Sequence, residues 1–392
     1  VGPDGKPADP DEDNVPYHPR HWLRVAERGV EADDFVMVVG YPGRTQRYRL
    51  GSEVESAFEW SYPTRKVAFD EMLELYAREA DSRAEVAITY AATIAGLNNA
   101  SKNYQGMIDG YARSGMLERR RAREAALQAW IEADPVRKAE HASTLADLEA
   151  LIRRDQETRE RDLVLGMLGR STMLSTARSL YRLGRERELP DERREPGYQE
   201  RDMTPFRERL QRIDRRYDPQ TDRAVLRLLL DRYRALPTDR RVPELDAFLR
   251  LDDDPVGLDA RLDRMYAATG LGDGATRLRW MEADRTAFEA SEDPFVQLAV
   301  ALYDGDRRRE AEAEALRGEF QRARSRYMET LLAFLAESGR TAYPDANSSL
   351  RVTYGQVRGY SPRDGVLYTP FTRLEGIPEK YTGEKPFDAP AS

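Results

Sequence analysis

The sequence predicts an α+β protein that is predominantly α, with one large all-helical domain set between two short β-rich segments. Three observations carry this. The apolar period is close to 3.6 residues from about residue 51 to about residue 342, whereas short continuous or alternating apolar runs fill 1–50 and 343–392. Charged residues make up 34% and apolar residues 40%, a balance that suits exposed amphipathic helices better than a compact β fold. At 392 residues the chain is also too long for one ordinary core, so two or three units are expected.

In the first segment, Trp22-Leu23-Arg24-Val25 and Asp34 to Gly40 read as β runs. The second run is continuously apolar and ends in Tyr41-Pro42-Gly43, which favours a type II turn, so it reads as a buried strand leaving a sheet. Ser52-x-x-Glu55 and Ser82-x-x-Glu85 match the capping box and predict helix starts. Asp134-Pro135, Thr204-Pro205, Asp254-Pro255 and Asp293-Pro294 each pair an N-cap residue with proline at the first helical position. The last long helix places Leu316, Phe320, Ala323, Tyr327, Leu331 and Phe334 on one face and should stop at Ser338-Gly339. Proline, glycine and charge make 185–202 an exposed loop or joint, and three glycines make 269–276 irregular. Beyond Tyr343-Pro344, Leu350 to Tyr354, Gln356 to Tyr360 and Gly365 to Phe371 read as hairpin or meander strands around a turn at Ser361 to Asp364. Strands on both sides of one helical block predict an insertion: 1–50 and 343–392 as β flanks of one domain, 51–342 as the helical domain.

The formal net charge of −8 and the alternation of Arg with Asp and Glu argue against a nucleic-acid partner. Such alternation marks solvated helix faces with local ion pairs. With no cysteine, disulfides, thiolate nucleophiles and cysteine metal sites are excluded. No apolar stretch reaches the roughly 20 residues of a membrane-spanning helix. The chain opens without Met in strand-turn sequence and is expected to be a piece of a longer protein. His18-x-x-His21 has no third ligand nearby, and His141 lies among helical charges where solvation is expected, so no metal and no cofactor are predicted. Gly-x-Ser-x-Gly, the P-loop and His-Glu-x-x-His are missing, leaving no visible catalytic machinery within the chain.

One stretch resists a bland reading. Between Leu97 and Met107 the amides Asn98, Asn99, Asn103 and Gln105 crowd a helical span, and each asparagine costs roughly 0.6 kcal/mol relative to alanine in a helix interior. Flanking Tyr90, Ile94, Leu97, Met107 and Ile108 place part of the amide face toward the interior. Either the helix breaks here or forms an internal polar network, or the amides grip a polar ligand group such as a peptide terminus.

Asp34 to Thr45, Leu97-Asn98-Asn99 with Lys102-Asn103 and Gln105-Gly106-Met107, Asp345 to Gly355, and Thr369 to Thr372 with Leu374-Glu375-Gly376 together resemble the bacterial dipeptidyl-peptidase seven and eleven family. The likeness runs in order along nearly the whole chain and is weakest from about residue 118 to 309. It implies a serine exopeptidase with a chymotrypsin-like double β-barrel, of which both β flanks here are parts, and a helical cap over the cleft. It also implies that the catalytic His and Asp precede Val1 and the nucleophilic Ser follows Ser392, so this chain alone is expected to be inactive. A helical-domain asparagine of the family binds the substrate's α-amino group. Asn99 matches it best, with Asn98 and Asn103 as neighbours. Further implications are oligopeptide substrates with a free N-terminus, a homodimer, and a periplasmic or cell-surface location. The side-chain preference of the pocket, hydrophobic or acidic, stays open. From the helices alone, a non-catalytic scaffold or partner-binding domain is the competing reading.

Overall fold

The computed structural model describes residues 1–8, 11–251 and 257–383. The chain divides into two compact units, Val1–Arg47 with Pro344–Ser392, and Tyr48–Tyr343. In chain order the regular elements are β1 (Phe35–Gly40), α1 (Gly51–Glu55), α2 (Tyr62–Ser82), α3 (Ala84–Thr89), α4 (Ala91–Ser114), α5 (Met116–Glu132), α6 (Pro135–His141), α7 (Thr144–Leu168) and α8 (Thr172–Glu186). There follow α9 (Met203–Arg212), α10 (Pro219–Arg234), α11 (Pro243–Leu249), α12 (Leu258–Ala268), α13 (Gly274–Met281), α14 (Arg285–Glu289) and α15 (Pro294–Glu337), then β2 (Arg351–Gln356), β3 (Tyr360–Arg363) and β4 (Val366–Tyr368). A π-helical turn, Ser56–Ser61, joins α1 to α2.

In the first unit β1 pairs antiparallel with β2, so that Val39 faces Val352 and Met37 faces Tyr354. The pairing is pinned just beyond the strands. The Asp345 carboxylate accepts from the Thr45 hydroxyl at 2.7 Å and the Arg47 N–H at 2.9 Å, while Ala346 N–H donates to the Thr45 hydroxyl at 2.8 Å. β3 and β4 form a second two-stranded sheet joined by Asp364-Gly365, with Gly365 at φ 73°, where only glycine is unstrained. This corrects the reading of Ser361 to Arg363 as turn, since those residues are strand. β2 likewise runs through Gly355 without interruption. β1 is a strand, and Phe35, Met37, Val38 and Val39 are mostly exposed, because among the described residues it pairs only with β2 and no second layer covers it. Trp22 to Val25 forms no strand and is exposed.

The helical unit is built on two main cores. The larger gathers Phe69, Met72 and Tyr76 of α2, Leu174, Leu180 and Tyr181 of α8, Leu229 and Tyr233 of α10, and Phe295, Leu298 and Leu302 of α15. Gly184 lets Phe288 approach so closely that an added Cβ would lie 3.1 Å from its ring. The smaller core closes Tyr327, Leu331 and Leu335 of α15 against Leu127, Ile131, Leu148 and Ile152, with Phe320, Ala323 and Phe334 at its margin. α15 therefore spans both cores over 44 residues, about 65 Å. It ends as predicted, with Ser338 as C-cap and Gly339 at φ 66°. The Tyr48 hydroxyl donates to the Tyr343 carbonyl at 2.7 Å, tying the unit's first residue to its last.

Helix starts follow the Asp-Pro signals at Asp134 and Asp293, whose carboxylates accept the first backbone N–H groups of α6 and α15. Asp254-Pro255 lies outside the described residues. Three starts differ from expectation. Thr204 and Pro205 sit inside the first turn of α9, which begins at Met203, where the proline's missing N–H would be unsatisfied in any case. Ser52 lies within α1, whose actual reciprocal contact is Glu53 accepting from Leu50 N–H at 2.8 Å. Ser82 closes α2, its hydroxyl turned back to the Glu79 carbonyl. The 185–202 segment begins inside α8 and is held by the buried Glu186, which accepts from Glu195 N–H at 3.0 Å.

Asp293 does more than cap α15. It also accepts from Gly270 N–H at 2.8 Å and the Thr269 hydroxyl at 2.9 Å, fastening the irregular 269–273 stretch to the start of the longest helix. Asp293→Ala is expected to lower unfolding free energy by about 1–2 kcal/mol. Denaturant midpoints of the two proteins check this, and an unchanged midpoint at equal slope counts against the dual role.

Candidate functional site

The amide-rich segment lies in α4, which runs unbroken through 24 residues. Its cost in helix propensity is offset by its opposite face. Leu97 and Ser101 are buried, and Tyr104 and Tyr111 stack on aromatic rings of α2 and the π-turn: Tyr104 on Tyr62 with centroids 5.3 Å apart, Tyr111 on Phe58 at 4.6 Å. One polar clamp sets the rotation. The Ser101 hydroxyl donates to Asp70 of α2 at 2.6 Å, and Lys66 donates to the other carboxylate oxygen at 2.6 Å. Burial alone would raise the Asp70 pKa, but the hydrogen bonds from Lys66 and Ser101 outweigh it and hold the carboxyl below its ordinary value.

With Leu97 and Ser101 turned to α2, helical geometry puts Asn99 and Asn103 on the opposite face, roughly 200° from those residues. Asn98, Asn99 and Asn103 are all exposed. Of the alternatives open from the sequence, this excludes the helix break and the internal polar network. The helix neither breaks nor buries them, because the aromatic stack already fills the interior side. Asn99 and Asn103, four residues apart, are neighbours on one face. Asn98 differs: its Nδ2 donates back to the Ile94 carbonyl at 3.1 Å, which commits the amide nitrogen. Among the described residues no hydrogen bond engages the Asn99 or Asn103 side chain. Gly96, Gly106 and Gly110 leave the surrounding surface low, so an approaching ligand meets amides before backbone.

An outward amide pair on a rigid helix can accept from an ammonium group through Oδ1 and donate to a carbonyl through Nδ2, without adding net charge. The histidines offer no comparable grouping. His18 and His21 are exposed in irregular chain, and no set of three or more metal-binding side chains gathers among the described residues. His141 is not solvated as expected. It is half-buried, with Nδ1 3.2 Å from the Thr330 hydroxyl and its ring beside Trp130.

A family model for peptidase S46 matches residues 1–392. The chain belongs to the peptidase S46 family. Its relatives include an Asp/Glu-specific dipeptidyl-peptidase of Shewanella putrefaciens, 40% identical over 390 residues that cover 100% of this chain and 53% of that protein. A dipeptidyl-peptidase 7 of Porphyromonas gingivalis is 26% identical, covering 97% of this chain and 52% of the relative. Among solved structures, Porphyromonas endodontalis DPP11 in complex with the dipeptide Arg-Glu superimposes with a TM-score of 0.70 at 22% identity, over 99% of this chain and 54% of that one. The same protein in an alternate conformation gives 0.57. This S46 chain thus spans about half the length of the curated relatives it matches.

Two of the S46-like sequence segments, Asp34 to Thr45 and Asp345 to Gly355, meet as the β1–β2 pair and its Thr45–Asp345 anchor, 300 residues apart in sequence. The residues that sequence reasoning missed are those that aim α4. Lys66 and Asp70 have the i, i+4 spacing of an ordinary surface pair. Only the fold shows that Ser101 completes it.

Proposed function

We propose that this chain is the helical-cap and barrel-flank portion of a serine-type dipeptidyl-peptidase that releases dipeptides from the free N-terminus of oligopeptides. The helical unit acts as the cap over the substrate cleft, and the β-paired ends belong to a chymotrypsin-like double barrel. Asn99 accepts a hydrogen bond from the substrate's α-ammonium group, Asn103 supports the adjoining peptide group, and Asn98, held by its own backbone, plays the lesser part. Catalytic His, Asp and Ser are supplied from outside these residues, so the chain alone is inactive. The whole enzyme acts as a homodimer in the periplasm or at the cell surface.

The observation that carries this reading is the outward, unengaged Asn99–Asn103 pair on a helix whose rotation is locked by the Ser101–Asp70–Lys66 clamp. S46 membership and relatives named dipeptidyl-peptidases support the reaction class. A relative at 40% identity, named as Asp/Glu-specific, favours an acidic residue at the second substrate position.

The test uses the full-length enzyme and paired peptides with Asp at the second position, one with a free and one with an acetylated N-terminus. Dipeptide release, followed by mass spectrometry, is expected from the free peptide at least about a hundredfold faster, because acetylation removes the cation that the site recognises. Equal release from the two would refute amine recognition. Leu in place of Asp at the second position should slow release about as much, and faster release from Leu would reassign the pocket as hydrophobic.

A further inference from the structure

Three arginine-lined clefts of the helical unit differ in one respect. In the first, of about 430 Å³ beside α8 and α15, Arg178 and Arg309 pair with Asp306, and Arg182 and Arg307 pair with Glu310. In the second, of about 440 Å³ between α7 and α15, Arg154, Arg161, Arg309 and Arg317 are likewise ion-paired. The third, of about 400 Å³, is lined by Arg49, Arg65 and Arg159, and among the described residues none of these comes within 4.0 Å of a carboxylate. Its carboxylates do not balance them. Glu53 is taken by Arg324 and Asp162 by Arg161, which leaves Asp155, within electrostatic reach of Arg159 on α7 but in no ion pair, as the one remaining anion of the lining against three guanidinium groups. In a chain of net charge −8, three unpaired arginines converging on one cleft run against the prevailing pattern.

The cleft wall is also conformationally unusual. The π-turn Ser56–Ser61 forms one side, its wide register shown by Tyr62 N–H bonding to the Ala57 carbonyl five residues back. Such turns cost helical stability and recur where a side chain must be re-aimed. Here the register puts Ser56, Trp60 and Ser61 at the cleft together. The Thr64 hydroxyl satisfies the Trp60 carbonyl at 2.6 Å. Arg159 Nη1 donates to the Ser56 hydroxyl at 3.0 Å while its guanidinium lies 4.2 Å from the Trp60 ring centroid, and Arg65 Nε donates to the Ser61 hydroxyl at 3.3 Å. These neutral contacts fix the two guanidinium planes without neutralising them, and each keeps further N–H donors free for a ligand.

We propose that this cleft binds a small oxyanion, a carboxylate or a phosphate, through Arg49, Arg65 and Arg159, with Trp60 as the apolar wall beside it. The fixed, unpaired guanidinium groups of Arg65 and Arg159 offer paired N–H donors that two oxygens of either anion can accept. Asp155, which lines the cleft from α7, disfavours a highly charged ligand and suits one that also carries a hydrogen-bond donor, such as a peptide N–H. The inference stands on the helical unit alone and does not depend on the amine-recognition reading.

Isothermal titration of the full-length protein with inorganic phosphate and, separately, with N-acetyl-glycyl-aspartate tests it. The blocked amine removes the contact proposed for Asn99. Saturable binding of at least one anion at a Kd of about 1 mM or tighter is expected, with none for neutral N-acetyl-glycyl-asparagine amide. Phosphate alone assigns a phosphate site, the dipeptide alone a carboxylate site, and both together the shared chemistry. Arg65→Ala and Arg159→Ala should each weaken binding about tenfold or more. Should either lose its thermal transition, Arg65→Lys and Arg159→Lys keep charge and stem but lose the planar fork, and weaker binding by these is expected. No saturation up to about 10 mM of either anion, or binding that persists unchanged in the double variant, overturns the proposal.

Discussion

Asn99→Ala in the full-length enzyme is expected to lower kcat/KM for free-amine peptides about ten- to hundredfold, while the thermal midpoint stays level or rises by about a degree. The first effect follows from losing one hydrogen bond to a charged group, about 1.5–3 kcal/mol. The second follows from replacing a poor helix former with the best one at an exposed interior position, a gain of roughly 0.6 kcal/mol. Opposite signs for activity and stability separate a ligand contact from a structural one. Asn99→Asp should keep part of the activity, since a carboxylate also accepts from an ammonium group. Asn103→Ala should fall between Ala and wild type at position 99, and Asn98→Ala should matter least because its amide nitrogen is already bonded to Ile94. The ratio of free to acetylated substrate should shrink in Asn99→Ala. An unchanged ratio with unchanged kcat/KM would place amine recognition elsewhere.

Much of the helical unit was legible because its signals are local. Asp293-Pro294, the Leu316 to Phe334 stripe and Ser338-Gly339 mark α15 from end to end, and each depends on residues within a turn or two of the boundary. Where starts were misplaced, distant partners decided. Gly51 N–H donates to Glu124 of α5 at 2.7 Å and the Ser52 hydroxyl to Glu149 of α7 at 2.8 Å, so Ser52 is recruited away from capping. No local pattern reports either contact. The burial of β1 is not readable locally for a similar reason. A continuous apolar run predicts a strand, but what covers it is a property of neighbours, and the described residues supply only β2.

The candidate site was half legible. Four amides in a helical span violate propensity, which is a sequence-level anomaly of the kind expected at functional positions. Their outward direction was not readable, since Leu97 and Ile94 flank them as plausibly on one side as the other. Tyr104 and Tyr111 decide it by stacking on α2 and the π-turn. The oxyanion cleft gave no sequence signal at all. Arg49, Arg65 and Arg159 are three among 62 basic residues, and only their meeting in one cleft with no carboxylate within 4.0 Å sets them apart.

Asp222→Ala is expected to destabilise the helical unit by about 3–5 kcal/mol, a larger loss than that of Asp293→Ala. Asp222 lies in α10 and is 2% exposed. It receives Thr172 and Met173 N–H, the latter at 3.2 Å, with the Ser171 hydroxyl at 3.2 Å and the Tyr266 hydroxyl at 2.7 Å. It thereby serves the first turn of α8 from another helix, where a negative charge also faces the positive end of the macrodipole. Alanine would leave these buried donors without an acceptor. Burial drives the Asp222 pKa up, and the four hydrogen bonds only partly oppose it. A carboxyl whose folded pKa exceeds its unfolded value of about 3.9 contributes stability fully below that pH and loses it as pH rises through the folded value. Asp222→Asn abolishes that titration while keeping one acceptor oxygen. The difference in unfolding free energy between wild type and Asp222→Asn, measured by denaturant titration from acid to neutral pH, should therefore shrink as pH rises. A difference that is flat across that range would show that Asp222 titrates alike in the folded and unfolded chains.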